Sequence, residues 1–188
     1  MAGSKTYGVG IIGFGVMGHR MAKAMRSHGQ FRIVGVYDPQ SSTDGFERAA
    51  SPEALVQDPR IDFLYIASPP AHHAAGVALA TLAKKPVLCE KPLAPSVAEA
   101  QSMCAQVDAA GRPSAVNFYL ATGSGAVRMR RLVACGALGE IREARLTLRF
   151  RAWPRPWQAA AGGWLTSANE GGFTREVGSH FLFQAERM

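Results

Sequence analysis

The chain has 188 residues, 47% hydrophobic and 19% charged, a composition that excludes a disordered or collagen-like protein. Its length holds one domain of usual size and the start of a second, but not two complete domains of about 150 residues each. The net charge of +7 is local, because nine arginines lie between positions 112 and 155 against Glu140 and Glu143.

No zinc-finger spacing, helix-turn-helix pattern or base-stacking motif accompanies these arginines, so nucleic acid is not an expected partner. No run of about 18 apolar residues occurs, so no membrane span is expected. Glycines at 8, 10, 13, 15 and 18 suit a strand and turn better than the apolar core of a secretory leader, which points to a cytoplasmic protein. Cys89, Cys104 and Cys135 make neither a Cys-x-x-Cys nor a Cys/His spacing, so reduced thiols and no metal are expected.

The first hundred residues alternate short apolar runs with amphipathic stretches, the pattern of β-α-β units around a parallel sheet. Residues 7–12 read as a first strand and 17–27 as a helix. Residues 32–38 (RIVGVYD), 62–67 (DFLYIA) and 86–90 (PVLCE) are further strands. Ser68-Pro69-Pro70 makes a strand-to-helix turn into a helix over 71–83. Ser96 and Glu99 form a capping box for a helix to about 109, and 114–118 (SAVNF) is a fifth strand. The first domain, 1–120, closes there, and 121–188 begins a second, partial α+β domain.

In that second part a basic helix spans 125–135, ended by Gly136 and Gly139. Residues 140–151 alternate strictly, with Ala144, Leu146, Leu148 and Phe150 on one face and Arg145, Thr147, Arg149 and Arg151 on the other. This predicts a half-buried strand. A long loop over 152–170 follows, and a last helix begins within 174–177.

The first chemical motif is Gly13-Phe14-Gly15-Val16-Met17-Gly18 between a strand and a helix. Glycines serve a tight turn, close approach of a pyrophosphate and close helix packing there, and the helix N-terminus meets the phosphates. Asp38 stands 20 residues beyond Gly18 at the end of the second strand, where a carboxylate accepts hydrogen bonds from ribose hydroxyls. Its charge opposes a 2′-phosphate and favours NAD, while His19 and Arg20 leave NADP open. The fold class is therefore α/β, a doubly wound Rossmann sheet.

The second motif is Cys89-Glu90-Lys91-Pro92 at the end of the fourth strand, where ligands of open α/β sheets bind. With the glycine turn and Ser68-Pro69-Pro70-Ala71-His72-His73, it resembles the Gfo/Idh/MocA oxidoreductases, the relatives of glucose-fructose oxidoreductase and inositol dehydrogenase. The resemblance implies cofactor contacts at Gly13, Phe14, Gly15, Val16, Met17, Gly18, Asp38, Ser68, Pro69, His73, Glu90 and Lys91. It also places Lys91 beside the nicotinamide and the substrate hydroxyl.

The segment 170–180 (EGGFTREVGSH) resembles the family's glycine-rich entry to a helix. By that likeness His180 is the catalytic base, and Glu176, one turn earlier on the same face, orients substrate in place of the family's usual aspartate. Residues 117–121 (NFYLA) lack the arginine that many relatives carry. Trp153, Trp157 and Trp164 line a substrate mouth or pack a loop, and both readings stay open.

The resemblance implies NAD(P)-dependent hydride transfer to or from a secondary alcohol or ketone of a sugar, cyclitol or similar polyol. The alternatives are a non-catalytic dinucleotide-binding sensor and an inactive fragment. Relatives form dimers through a large open-faced sheet, of which this chain shows one strand, so it reads as C-terminally truncated. A homo-oligomer is implied were that domain complete.

Overall fold

In the computed structural model, which describes residues 5–43 and 45–188, the first strand, β1 (Tyr7–Ile12), buries every residue after Tyr7. A strand apolar on both faces belongs at the centre of a parallel sheet with layers on either side. It lies there: β2 (Phe31–Tyr37), β1, β3 (Phe63–Ile66), β4 (Val87–Glu90) and β5 (Ser114–Asn117) run parallel in the order β2-β1-β3-β4-β5. The order reverses between β1 and β3, which opens a crevice beyond their carboxyl ends.

The two-residue period of the strands divides the core between the faces. Leu64, Ile66, Val87 and Cys89 point to one face and pack with Leu55, Val77 and Met103. These come from α2 (Pro52–Gln57), α3 (His73–Leu82) and α4 (Val97–Ala110). Val9, Ile11, Val36 and Tyr65 point to the other face, against Ala22 and Met25 of α1 (Val16–His28).

The expected elements form with small shifts at their ends. Ser96 caps α4 as read from the sequence, its hydroxyl accepting from the Glu99 N–H at 3.2 Å. The short helix α2 is an addition, built on Ser51 as cap, whose hydroxyl accepts from the Ala54 N–H, and on Pro52 in the first turn. It shows too little periodicity to be legible as a helix.

The second part departs from expectation. Helix α5 (Ser124–Ala134) forms, but residues 140–151 make no strand, and no described residue beyond β5 belongs to one. Leu146 and Phe150 are exposed. An alternating sequence becomes a strand only when a neighbour takes its backbone N–H and C=O groups, and no strand lies beside this one. The expected α+β second domain is therefore helical and irregular here. Short 3-10 turns (Pro156–Ala161, Gly163–Thr166) and a single π turn (Thr174–Gly178) lead into α6 (Ser179–Glu186). Among the described residues no helix is long and apolar enough to cross a membrane.

Leu64 is fully buried between α2 and α3, so Leu64→Ala should cost about 2–5 kcal/mol. The check is urea unfolding, with a lower midpoint at unchanged slope.

Candidate active site

The turn after β1 is shaped by contacts that leave no room for side chains. Gly13 has φ +90°, and a Cβ there would stand 2.3 Å from the Ser68 nitrogen. A Cβ on Gly18 would meet the Gly13 carbonyl oxygen at 2.5 Å. Gly15 differs, since a Cβ there would meet nothing within 4 Å. It caps α1 without any side-chain acceptor for the helix's first N–H groups. These donors and the open space face a cleft of about 700 Å³ at the crevice between β1 and β3. Free N–H groups at a helix start suit a diphosphate, so the site fits a dinucleotide.

Gly13, Gly15, Val16, Met17, Asp38, Ser68, Pro69, Glu90 and Lys91 line this cleft, as do Glu176 and His180. Phe14, Gly18 and His73 do not. Phe14 turns inward against Phe46, ring centroids 5.7 Å apart. His73 is buried with its ring nitrogens 2.8 Å from the Ser68 carbonyl and 3.1 Å from that of Leu93. It ties the loop after β3 to the loop after β4, so it positions the cleft wall instead of touching a ligand. Burial holds the His73 imidazole below its ordinary pKa, against the pull of those carbonyls.

Asp38 Oδ2 accepts from the Phe14 N–H at 2.6 Å, and Oδ1 from Gln40 and Ser41 N–H at 2.8 and 2.7 Å. Burial alone would raise this carboxyl. The three backbone N–H groups outweigh it and hold Asp38 below the usual carboxylate range. The Ser41 side chain adds to these, so most of the carboxylate's acceptor positions serve the protein. Asp38 thus fixes the glycine turn to the end of β2 as well as facing the cleft.

At the end of β4, Glu90 and Asn117 are register partners. Glu90 Oε1 accepts from Tyr65 Oη at 2.5 Å and Asn117 Nδ2 at 2.6 Å, while its buried Oε2 has no hydrogen-bond partner among the described residues. Burial raises the Glu90 carboxyl, opposed by these two donors and the Lys91 charge. Tyr65 and Asn117 were absent from the sequence-based site. A tyrosine in an apolar strand and an amide ending another were the only signals.

Lys91 Nζ donates to Glu176 Oε2 at 2.8 Å and to the Glu176 carbonyl at 3.0 Å, with both side chains nearly buried. An ammonium has three donors, so one is left for a ligand oxygen. Burial raises the Glu176 carboxyl, and Lys91 opposes that rise. The π turn carries Glu176, and α6 carries His180. Phe118 and Tyr119 pack edge-on against the His180 ring at 5.8 and 5.0 Å. Burial, then the charges of Lys91 and Arg155, lowers the His180 pKa to about 4. The imidazole is therefore neutral at pH 7.

Of the three tryptophans, Trp157 and Trp164 line the cleft, whereas Trp153 packs on Phe173 at 5.5 Å. Arg155 and Gln158 also line it and were missed, because nothing in a proline- and tryptophan-rich loop says which side chains turn inward. Among the described residues no group of three or more His, Cys, Asp or Glu could hold a metal ion.

A family model described as "Oxidoreductase family, NAD-binding Rossmann fold" (GFO_IDH_MocA) matches residues 7–118. The chain is 30% identical over 137 residues to the 2,7-anhydro-N-acetylneuraminate hydratase of Escherichia coli (strain K12), covering 70% of this chain and 37% of that protein. It is 32% identical over 149 residues to inositol 2-dehydrogenase 1 of Saccharopolyspora erythraea, covering 72% and 43%. The solved structure of an NAD binding oxidoreductase from Klebsiella pneumoniae matches at TM-score 0.76 and 25% identity, over 96% of this chain and 52% of that one. The matched part is less than half the length of both sequence relatives.

Two expectations follow. A histidine whose folded pKa lies below its unfolded value of about 6.5 favours the native state fully above that pH, and the contribution is lost as pH falls toward 4. Urea midpoints measured across that window should therefore fall less steeply for His180→Gln than for the parent. Gly15→Val fills space that the protein leaves open, so its urea midpoint should stay near the parent's while NADH affinity, read by nicotinamide fluorescence, drops at least about tenfold.

Proposed function

The chain belongs to the Gfo/Idh/MocA oxidoreductase family, with its NAD-binding Rossmann fold, and on that footing we propose that it binds NAD, or NADP, and interconverts a secondary alcohol and a ketone on a sugar, cyclitol or similar polyol. The observation that carries this reading is the meeting of Lys91, Glu176 and His180 in the cleft that holds the glycine turn. When bound, the nicotinamide supplies the hydride acceptor or donor.

The protein's part is positioning and proton handling. The N–H groups at the start of α1 and the open face of Gly15 hold the diphosphate, and Asp38 faces the ribose hydroxyls from the end of β2. The third N–H of Lys91 holds the substrate oxygen, which fixes the carbinol carbon in one orientation. His180, neutral and buried, takes the hydroxyl proton in the oxidation and returns it in the reduction. Glu176 neutralises Lys91, so the ammonium beside the substrate oxygen is not an unpaired buried charge. Inositol 2-dehydrogenase 1 as a relative supports the alcohol-to-ketone chemistry.

A second reading rests on the relative named as a hydratase, which favours a reaction with no net change in nicotinamide oxidation state. A sensor would bind cofactor and leave every polyol unchanged; a reactive trio in the cleft argues against it.

Titration with NADH and NADPH should show tighter NADH binding that weakens in Asp38→Ala. With a polyol panel and NAD, Lys91→Met should lower kcat by about 10² or more. Product formation without net nicotinamide absorbance change would select the hydratase reading, and cofactor binding without any product the sensor.

A further inference from the structure

We propose that Arg155 receives an acidic group of the substrate, so that the polyol taken by this site is a sugar acid or a comparably anionic polyol. The inference rests on the reading of the cleft as a dehydrogenase site and names its substrate class.

Arg155 lines the cleft together with Lys91, Glu176 and His180. It is held in place: its backbone N–H and its Nε donate to Gln158 Oε1 at 3.1 and 2.9 Å, and Gln158 is buried. The guanidinium carbon stands 4.7 Å from the centroid of the Trp157 ring and 5.4 Å from that of Phe150. An arginine fixed on one edge and packed against rings loses little further freedom when its terminal nitrogens bind a partner.

The charges of the cleft leave that partner to come from outside. Lys91 and Arg155 are the lysine and arginine side chains that line it. Lys91 is matched by Glu176 at 2.8 Å. Among the described residues Arg155 has no carboxylate within 4.0 Å, and neither Nη1 nor Nη2 has a hydrogen-bond acceptor. The other carboxyls of the cleft are engaged elsewhere or stand apart. Asp38 is held by backbone N–H groups, Glu90 by Tyr65 and Asn117, and Glu53 belongs to the start of α2. Two terminal guanidinium nitrogens form a planar fork that matches the two oxygens of a carboxylate.

The location favours the substrate end, because Arg155 is close enough to His180 to oppose its protonation. Arg145, Arg149 and Arg151, the alternating arginines of 140–151, do not line the cleft. The competing anion is the cofactor's own diphosphate. Trp157 is also covered by Arg20 of α1, at 4.9 Å, so the stack reaches back toward the glycine turn.

The test uses the whole chain saturated with NADH. Calorimetric titration compares glucuronate, galacturonate and gluconate with glucuronamide, the neutral counterpart of the first. Expected is at least one acid bound about tenfold or more tighter than the amide, a preference lost in Arg155→Gln and partly kept in Arg155→Lys. Equal affinity of acid and amide, or no binding of any acid, overturns the proposal. So does an Arg155→Gln variant that loses NADH affinity and keeps its acid preference, which assigns the guanidinium to the diphosphate. The parent's own preference decides the matter if the variants fold poorly. Failure of the dehydrogenase reading looks different: acid preference stands, but no substrate changes the nicotinamide.

Discussion

The ammonium of Lys91 and the carboxylate of Glu176 meet at 2.8 Å across 85 residues of sequence, nearly out of water. Burying such a pair costs several kcal/mol per ion, and the Coulomb gain offsets it only when geometry and further hydrogen bonds are good. Here the Glu176 carbonyl takes a second lysine proton. Losing either partner would strand a buried charge, so the pair binds the segment entering α6 to the end of β4. His180 sits one turn beyond Glu176, and Glu90 directly precedes Lys91. One contact thus brings these four residues to the same cleft.

Around the pair the polar atoms are arranged unevenly. Glu90 Oε1 and Asp38 Oδ1 are satisfied by the protein, and the His73 ring is held between two carbonyls. Ser68 Oγ, Glu90 Oε2, Glu176 Oε1 and His180 Nδ1 are buried without a hydrogen-bond partner among the described residues. Buried polar atoms left unmatched cost about 1–3 kcal/mol each, and folded proteins keep few of them. All four belong to residues lining one cleft. The scaffold is therefore satisfied where it is structural and unsatisfied where a ligand's groups would enter, and the strain falls on the same residues that the family likeness singles out.

The electrostatics divide the labour among these groups. Burial pushes the carboxyls of Glu90 and Glu176 up and the imidazole of His180 down, each toward its neutral form, while Lys91 draws the carboxyls back toward the anion. Asp38 differs because three N–H groups hold it ionised. One end of the cleft is thus built around a fixed negative charge, and the other around groups whose protonation responds to what enters.

Local patterns were enough for much of this. Continuous apolar runs, Ser96 with Glu99 and the punctuation of glycine and proline define the strands and the longer helices of 7–118, because period, capping and turn chemistry act within a few residues. The glycine turn and Asp38 were legible as chemistry for the same reason, whereas Lys91 and His180 were singled out by the family resemblance. Folding decided what depends on partners distant in sequence. Tyr65 and Asn117 reached Glu90 from two other strands, and His73 turned out to brace two loops. Arg155 entered the cleft while Arg145, Arg149 and Arg151 stayed outside. The segment 140–151 has the alternation of a strand and forms none. Alternation sets which side chains share a face, but a strand exists only when another backbone supplies its hydrogen bonds.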